Sequence, residues 1–151
     1  MSFLPSMNIS ASGITAQMRR MNTITENIVN RETTRTEAGG SYRRQLTVFQ
    51  EISANRFRGE LRNASSRLTN RWPGTRGGVM VREIVEDPSD FIPVFDPNHP
   101  DANEEGYVMM PNVNNTIEMI DAMAATRSYN ANISAFEAIR QMAQQALEIG
   151  R

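Results

Sequence analysis

Residues 115–149 read NTIEMIDAMAATRSYNANISAFEAIRQMAQQALEI. No Pro or Gly occurs between Pro111 and Gly150, so nothing interrupts a single long helix. Asn115, with Glu118 three residues on, has the spacing of a capping box at its start. Val113, Ile117, Ile120 and Ala124 begin one apolar stripe. Tyr129, Ile133, Phe136, Ala143 and Leu147 form a second, and Ile139, Met142, Ala146 and Ile149 a third. Thirty-five helical residues span about 52 Å. A helix apolar on most sides has to be enclosed by several neighbours, more than one partner helix supplies.

Toward the N-terminus, a second helix is predicted over residues 7–30. Met7, Ala11, Ile14, Met18, Met21, Thr25 and Ile28 recur at alternating four- and three-residue steps. That is the a/d pattern of a coiled-coil seam over about three heptads. Ile24 widens the stripe, and Gly13 allows close approach of a neighbour. The pattern fails after Asn30, in a polar stretch that ends at Gly39-Gly40 and reads as a loop.

Residues 42–110 have a different period. Leu46, Val48 and Ile52 mark one strand, and Val79 to Val85 a second after the Gly77-Gly78 turn signal. Phe91 to Phe95 is a third, confined to an edge by Pro93, and Tyr107 to Met110 a short fourth. Two long helices thus carry a β-rich insert between them. Its charge is segregated: residues 55–82 hold seven Arg and one Glu, whereas residues 83–105 hold eight acids and no Arg. Two arrangements fit: solvated loops that neutralise each other within one chain, or a basic face of one copy meeting the acidic face of the next.

Composition narrows the function. The chain has 151 residues and no cysteine, which excludes disulfide frameworks, thiol nucleophiles and iron–sulfur clusters. His99 is the single histidine; it sits between Asn98 and Pro100 as a turn residue. The loop from Asp96 to Asp101 has Pro100 and Asp101 where a calcium loop needs a ligand and a Gly. With no P-loop, GxGxxG or nucleophile elbow, no catalytic, cofactor or metal site is expected, and no enzyme. No apolar run reaches membrane-spanning length, and Met1 to Ser6 lack the basic start of a secretory signal. The Arg-rich stretch with Phe57 and Trp72 has nucleic-acid-binding residue types. The net charge of -1 and the adjacent acidic run argue against that use. At 39% hydrophobic residues, with ten Met, the chain suits helix faces that meet more than one neighbour.

Several blocks, in order, resemble the axial proteins of the bacterial flagellum, and its basal-body rod proteins most closely. They are Ser12-Gly13-Ile14-Thr15-Ala16-Gln17, Met21-Asn22, Glu26-Asn27-Ile28-Val29-Asn30 with Thr33, Asp96 to Asn103, and Gly106 to Asn114. Glu118-Met119, Ala125 to Asn132 and the ending Ala146 to Arg151 complete the set. Where the family usually has Ala before the second Asn, this chain has Val29. The likeness covers about residues 1–52 and 77–151; residues 53–76 match no family motif.

The resemblance implies a structural rod subunit, exported by the flagellar type III apparatus without a cleaved signal and assembled in the periplasm into a hollow, torque-transmitting tube. Expected partners are other copies of the chain, other rod proteins, basal-body components and the export apparatus, with no nucleic acid and no membrane insertion. The expected fold is mainly α with a small β-rich insert, its terminal helices paired as an antiparallel coiled-coil hairpin inside a helical tube. Its units are an axial helix and exit loop (1–36), the insert (37–111, with the variable Arg-rich segment 53–76) and a second axial helix (112–151). Helix packing and subunit contacts are expected at Ile14, Met18, Met21, Ile28, Ile117, Ile120, Ile133, Phe136, Ile139, Met142 and Leu147. Polar roles fall to Asn27, Asn30, Asn112, Asn114, Glu118, Arg127, Tyr129 and Asn132, as helix caps or as bonds between subunits. Two other readings use the same residues: a paralogous axial protein, or a coiled-coil nucleic-acid-binding or adaptor protein.

Overall fold

A computed structural model describes residues 3–37, 39–52 and 77–149. The Arg-rich segment 53–76 lies outside the described residues, and with it all but Arg82 of the basic block. Helix α1 spans Phe3–Val29 and so starts four residues before the predicted residue 7. Pro5 is tolerated because the first turn has no intrahelical use for its missing N–H. At the other end Asn30 Nδ2 donates to the Glu26 carbonyl at 2.9 Å, and the Thr33 hydroxyl donates to Asn30 Oδ1 at 3.2 Å. The chain then turns through Gly39 and Gly40, at φ 87° and 81°, values that favour glycine.

The insert is two separate antiparallel pairs. Strands β1 (Gln45–Glu51) and β2 (Val79–Glu86) form one, β3 (Ile92–Phe95) and β4 (Tyr107–Met110) the other. Val48 faces Glu83 and Phe49 faces Val81, so Arg82 is the extra residue of a bulge. Pro93 fits in β3 because that strand is paired on one side only. The Phe95 and Tyr107 rings meet edge to face, centroids 5.3 Å apart.

The β1–β2 pair docks on α1 through Gly77 and Gly78. The Val79 amide donates to Ser12 Oγ at 3.1 Å. A Cβ on Gly78 would lie 2.9 Å from the same oxygen, at a φ of 124°. These glycines are therefore a contact as well as a turn.

Helix α2 spans Asn115–Ile149 and packs antiparallel along α1. Asn27 meets Glu118, and Gly13 meets Asn132; both pairs of positions are fourteen residues apart, two heptads on each helix. A Cβ on Gly13 would come within 2.8 Å of Asn132 Oδ1, so a side chain there would displace the Asn132 amide. The register brings Phe3 level with about Met142, and the end of α2 projects past the start of α1.

The phase of the pair differs from that expected. The buried residues of α1 are Ser10, Gly13, Ala16, Thr23, Ile24 and Asn27, with Gln17 and Arg20 half-buried. This seam follows positions 10, 13, 17, 20, 24 and 27, one residue before the predicted apolar stripe. One residue is about 100° of rotation, so the stripe moves to the edge of the pair: Met18 and Thr25 are exposed, whereas Met7, Ala11, Ile14, Met21 and Ile28 are half-buried and Met21 Sδ accepts from the Thr126 hydroxyl of α2 at 3.6 Å. On α2 the least exposed positions include Glu118, Ala122, Ala125, Tyr129, Asn132 and Phe136. Small residues in the seam, Ser10, Gly13 and Ala16 on α1 and Ala122 and Ala125 on α2, let the backbones approach closely. The capping residue also differs: Asn114, not Asn115, accepts from the Thr116 and Ile117 amides at 3.0 and 3.3 Å.

Candidate subunit interface and its polar junction

Four elements converge where α1 ends and α2 begins. Asn27 is 1% exposed and Glu118 fully buried. All four hydrogen-bonding positions of the Asn27 amide are used. Nδ2 donates to the Gln45 carbonyl at 2.9 Å and to Glu118 Oε2 at 3.1 Å, while Oδ1 accepts from the Gln45 amide at 2.9 Å and the Tyr42 hydroxyl at 3.0 Å. The other Glu118 oxygen accepts from Arg44 Nε at 2.6 Å. The rest of the Arg44 guanidinium reaches Asp87 at 3.5 Å and Asp121 at 3.4 Å, and Arg20 pairs with Asp121 at 3.0 Å. Asn112 ties in the backbone, its Oδ1 accepting from the Arg44 amide at 2.8 Å while Nδ2 donates to the Asp87 and Ser89 carbonyls. Arg43 donates to the same two carbonyls and lies 4.4 Å from the Phe91 ring centroid, a cation–π contact.

The charges are balanced on site. Burial works against the Arg44 cation, but its bond to Glu118 and the nearby carboxylates outweigh that, and its pKa is raised. The Ser89 hydroxyl and amide hold Asp87 below the usual carboxylate range. Burial, then the charges of Glu26, Glu118 and Glu86, push the Tyr42 phenol up. Deleting Arg44 alone would strand a buried carboxylate, at about 3–5 kcal/mol. Glu118 therefore does not reach back to cap its own helix, as its spacing suggested; it joins the two helices to β1. Asp87, Glu118 and Asp121 converge on a guanidinium, and among the described residues no group of His, Cys, Asp or Glu is arranged to hold a metal. A cleft of about 230 Å³ opens beside the junction between α1, β1 and α2.

The remaining expected polar residues are scattered. Asn30 and Asn114 cap helix ends. Asn132 Nδ2 donates to the Ser128 carbonyl at 2.9 Å, opposite Gly13. Arg127 is exposed and Tyr129 half-buried. The acidic block is met in part by Arg residues outside the basic block: Asp87 by Arg44, and Asp101 by Arg35 at 2.6 Å.

The apolar residues divide by phase. Ile14, Met21, Ile28, Ile133, Phe136 and Ile139 are half-buried. Met18, Ile117, Ile120 and Met142 are 47–59% exposed, and Leu147 is 75% exposed. Leu4, Val29, Met119 and Met123 add to the exposed set. Both helices therefore carry apolar faces that one chain leaves uncovered, more than isolated surface hydrophobics account for. Sequence reasoning did not find Tyr42, Arg44, Asp87 or Asp121. The available signal was a seam of small and polar residues running one position before the apolar stripe.

Among the described residues no helix is long and apolar enough to cross a membrane. Residues 104–149 match the family described as flagellar basal body rod FlgEFG protein C-terminal. The chain is 43% identical to the flagellar basal-body rod protein FlgC of Bacillus subtilis over 153 aligned positions, covering 97% of each. It is 37% identical to FlgC of Borreliella burgdorferi, over 99% of this chain and 98% of that protein. It is 32% identical to FlgC of Escherichia coli O6:H1 over the full length of both.

Proposed function

The chain belongs to the FlgC family of flagellar basal-body rod proteins, and on that premise we propose how its helices build the rod. It is a structural subunit, not an enzyme, that assembles with other rod components in the basal body of the bacterial flagellum. In the proposed assembly, α1 and α2 form the axial layer of a hollow helical tube, and the insert projects from it. Residues 1–36 and 112–151 act as the axial units, and 37–111 as the insert. The carrying observation is the pair of uncovered apolar faces: Met18 on α1, and Ile117, Ile120, Met142 and Leu147 on α2. In the tube these residues pack against neighbouring copies and other rod proteins.

Assembly and folding are coupled in this reading. A chain that passes the flagellar type III apparatus without a cleaved signal, to assemble in the periplasm, must travel largely unfolded. Its helices are then marginal alone, and neighbours supply the missing burial. Truncation tests the proposal. Deleting residues 141–151 removes Met142 and Leu147 together with the projecting end of α2. The expected outcome is a protein that is still exported but forms no rod, read by basal-body isolation and by swimming. Normal swimming of the deletion strain overturns the axial role of this helix.

A further inference from the structure

The chain carries two heptad phases on α1, and it buries the less hydrophobic one. Met7, Ala11, Ile14, Met18, Met21, Thr25 and Ile28 offer a stronger hydrophobic seam than Ser10, Gly13, Gln17, Arg20, Ile24 and Asn27, of which only Ile24 is a large apolar residue. Burial of apolar surface alone favours pairing α2 with the first set. In the structure α2 centres on the second; Met21 stays at the edge of the contact, against Thr126, and Met18 is left 47% exposed. We infer that the buried Asn27–Glu118–Arg44 junction is the phase-setting element of the helix pair, and that it holds Met18 outward for other subunits.

Geometry supports the assignment. Glu118 is fully buried and bonds Asn27 at 3.1 Å and Arg44 at 2.6 Å. Rotating α1 by one residue, about 100°, carries Asn27 off the seam. That leaves its amide and one Glu118 oxygen without partners, and such unpaired buried groups are costly. It also frees the Gln45 amide and carbonyl, which Asn27 satisfies from α1. The apolar alternative is therefore barred by polar groups that only one phase satisfies. Buried polar residues act in this way in coiled coils, fixing register at a cost in stability.

The inference concerns one chain, so its test does not require a rod. The sequence has no cysteine, which makes introduced pairs unambiguous. A Cβ on Gly13 would lie 2.9 Å from Asn132 Cγ. With a bond of about 1.5 Å, the two Cβ atoms fall within about 4.4 Å, suited to a disulfide. The reporters are Gly13→Cys with Asn132→Cys for the native phase, and Met18→Cys alone for exposure of the stripe. Each is placed in the full chain and in an Arg44→Met, Glu118→Leu background, which removes both charges of the pair together. Cross-linking rate and maleimide labelling are measured on dilute protein, with helicity followed in the same samples. The expected result in the double variant is cross-linking slowed at least tenfold, with Met18→Cys labelled several-fold more slowly as position 18 turns inward. An unchanged cross-linking rate overturns the inference. So does loss of the cross-link with faster labelling, which would make the junction a staple of the fold and not a setter of its phase.

Discussion

Ile24 and Leu147 are comparable aliphatic side chains in opposite situations: Ile24 is 6% exposed within the chain, Leu147 75%. Truncating each to Ala separates folding from assembly. Ile24→Ala removes a buried side chain and costs about 2–5 kcal/mol. At about 4 °C per kcal/mol, the isolated chain melts roughly 8–20 °C lower. Leu147→Ala changes a surface position of the free chain, within about 0.5 kcal/mol, and both residues are good helix formers. Its melting point moves by about 2 °C or less. Burying a whole Leu is worth about 1.5–3 kcal/mol. Covering the exposed three-quarters therefore supplies about 1–2 kcal/mol at each copy, a factor of about 5–30 in each subunit's retention. Adding Ile120→Ala, at 59% exposed, roughly doubles the loss in free energy. The assays are thermal melts of purified protein and, in cells, export, rod isolation and swimming. The expected pattern is an exported Leu147→Ala/Ile120→Ala protein with near-normal melting and defective rods. Wild-type swimming by that double variant refutes the reasoning, as does a melting point lowered as far as that of Ile24→Ala.

Coupled folding predicts that amides of 3–29 and 115–149 exchange faster in dilute monomer than in isolated rods, with the slowest exchange in monomer near Asn27 and Glu118; equal protection in both states contradicts it. If the basic block of one copy meets the acidic block of another, reversing several of Arg56, Arg58, Arg62 and Arg67 to Glu weakens assembly without stopping export. Matching reversals in the acidic block should then restore it. Exposed pairs are worth about 1 kcal/mol or less each, so only multiple changes are diagnostic, and an indifferent rod rules out pairing of the two blocks between copies. The raised Tyr42 pKa gives an alkaline limb to stability. The neutral phenol is favoured in the folded state, so this contribution is complete below the unfolded value of 10.0 and is lost as pH rises through the folded one. Denaturant midpoints should fall above about pH 10, less steeply in Tyr42→Phe; the same slope in both proteins excludes Tyr42 as the cause.

Much of the architecture was legible because it rests on local signals. The unbroken run from Pro111 to Gly150 marked α2, and Gly77-Gly78 and Pro93 placed the strands. The helix pair's phase was not legible. Hydrophobic period shows which residues seek burial, not whether their own chain or another provides it. Here sterics at Gly13 and partners distant in sequence decide the matter: Glu118 bonds a residue 74 positions away and another 91 positions away. Glu118 was singled out by a short-range capping rule, yet its side-chain bonds are all long-range. Arg44 looked like one Arg among sixteen until Asp87, Glu118 and Asp121 were brought around it.

The Arg44 junction also has a mechanical meaning. Besides its contact with α1 at Ser12, the β1–β2 pair is tied to both helices by bonds from Asn27 to Gln45 and from Arg44 to Glu118 and Asp121. A force that twists the insert about the helix pair stretches these bonds simultaneously, because they cross one short gap side by side. Bonds loaded in parallel share the strain and yield together at a high threshold, whereas bonds in series open one at a time. Bonds side by side therefore make the joint between helices and insert stiffer than any one of them would alone. In the proposed tube, such a joint would carry a twist of the axial helices into the insert.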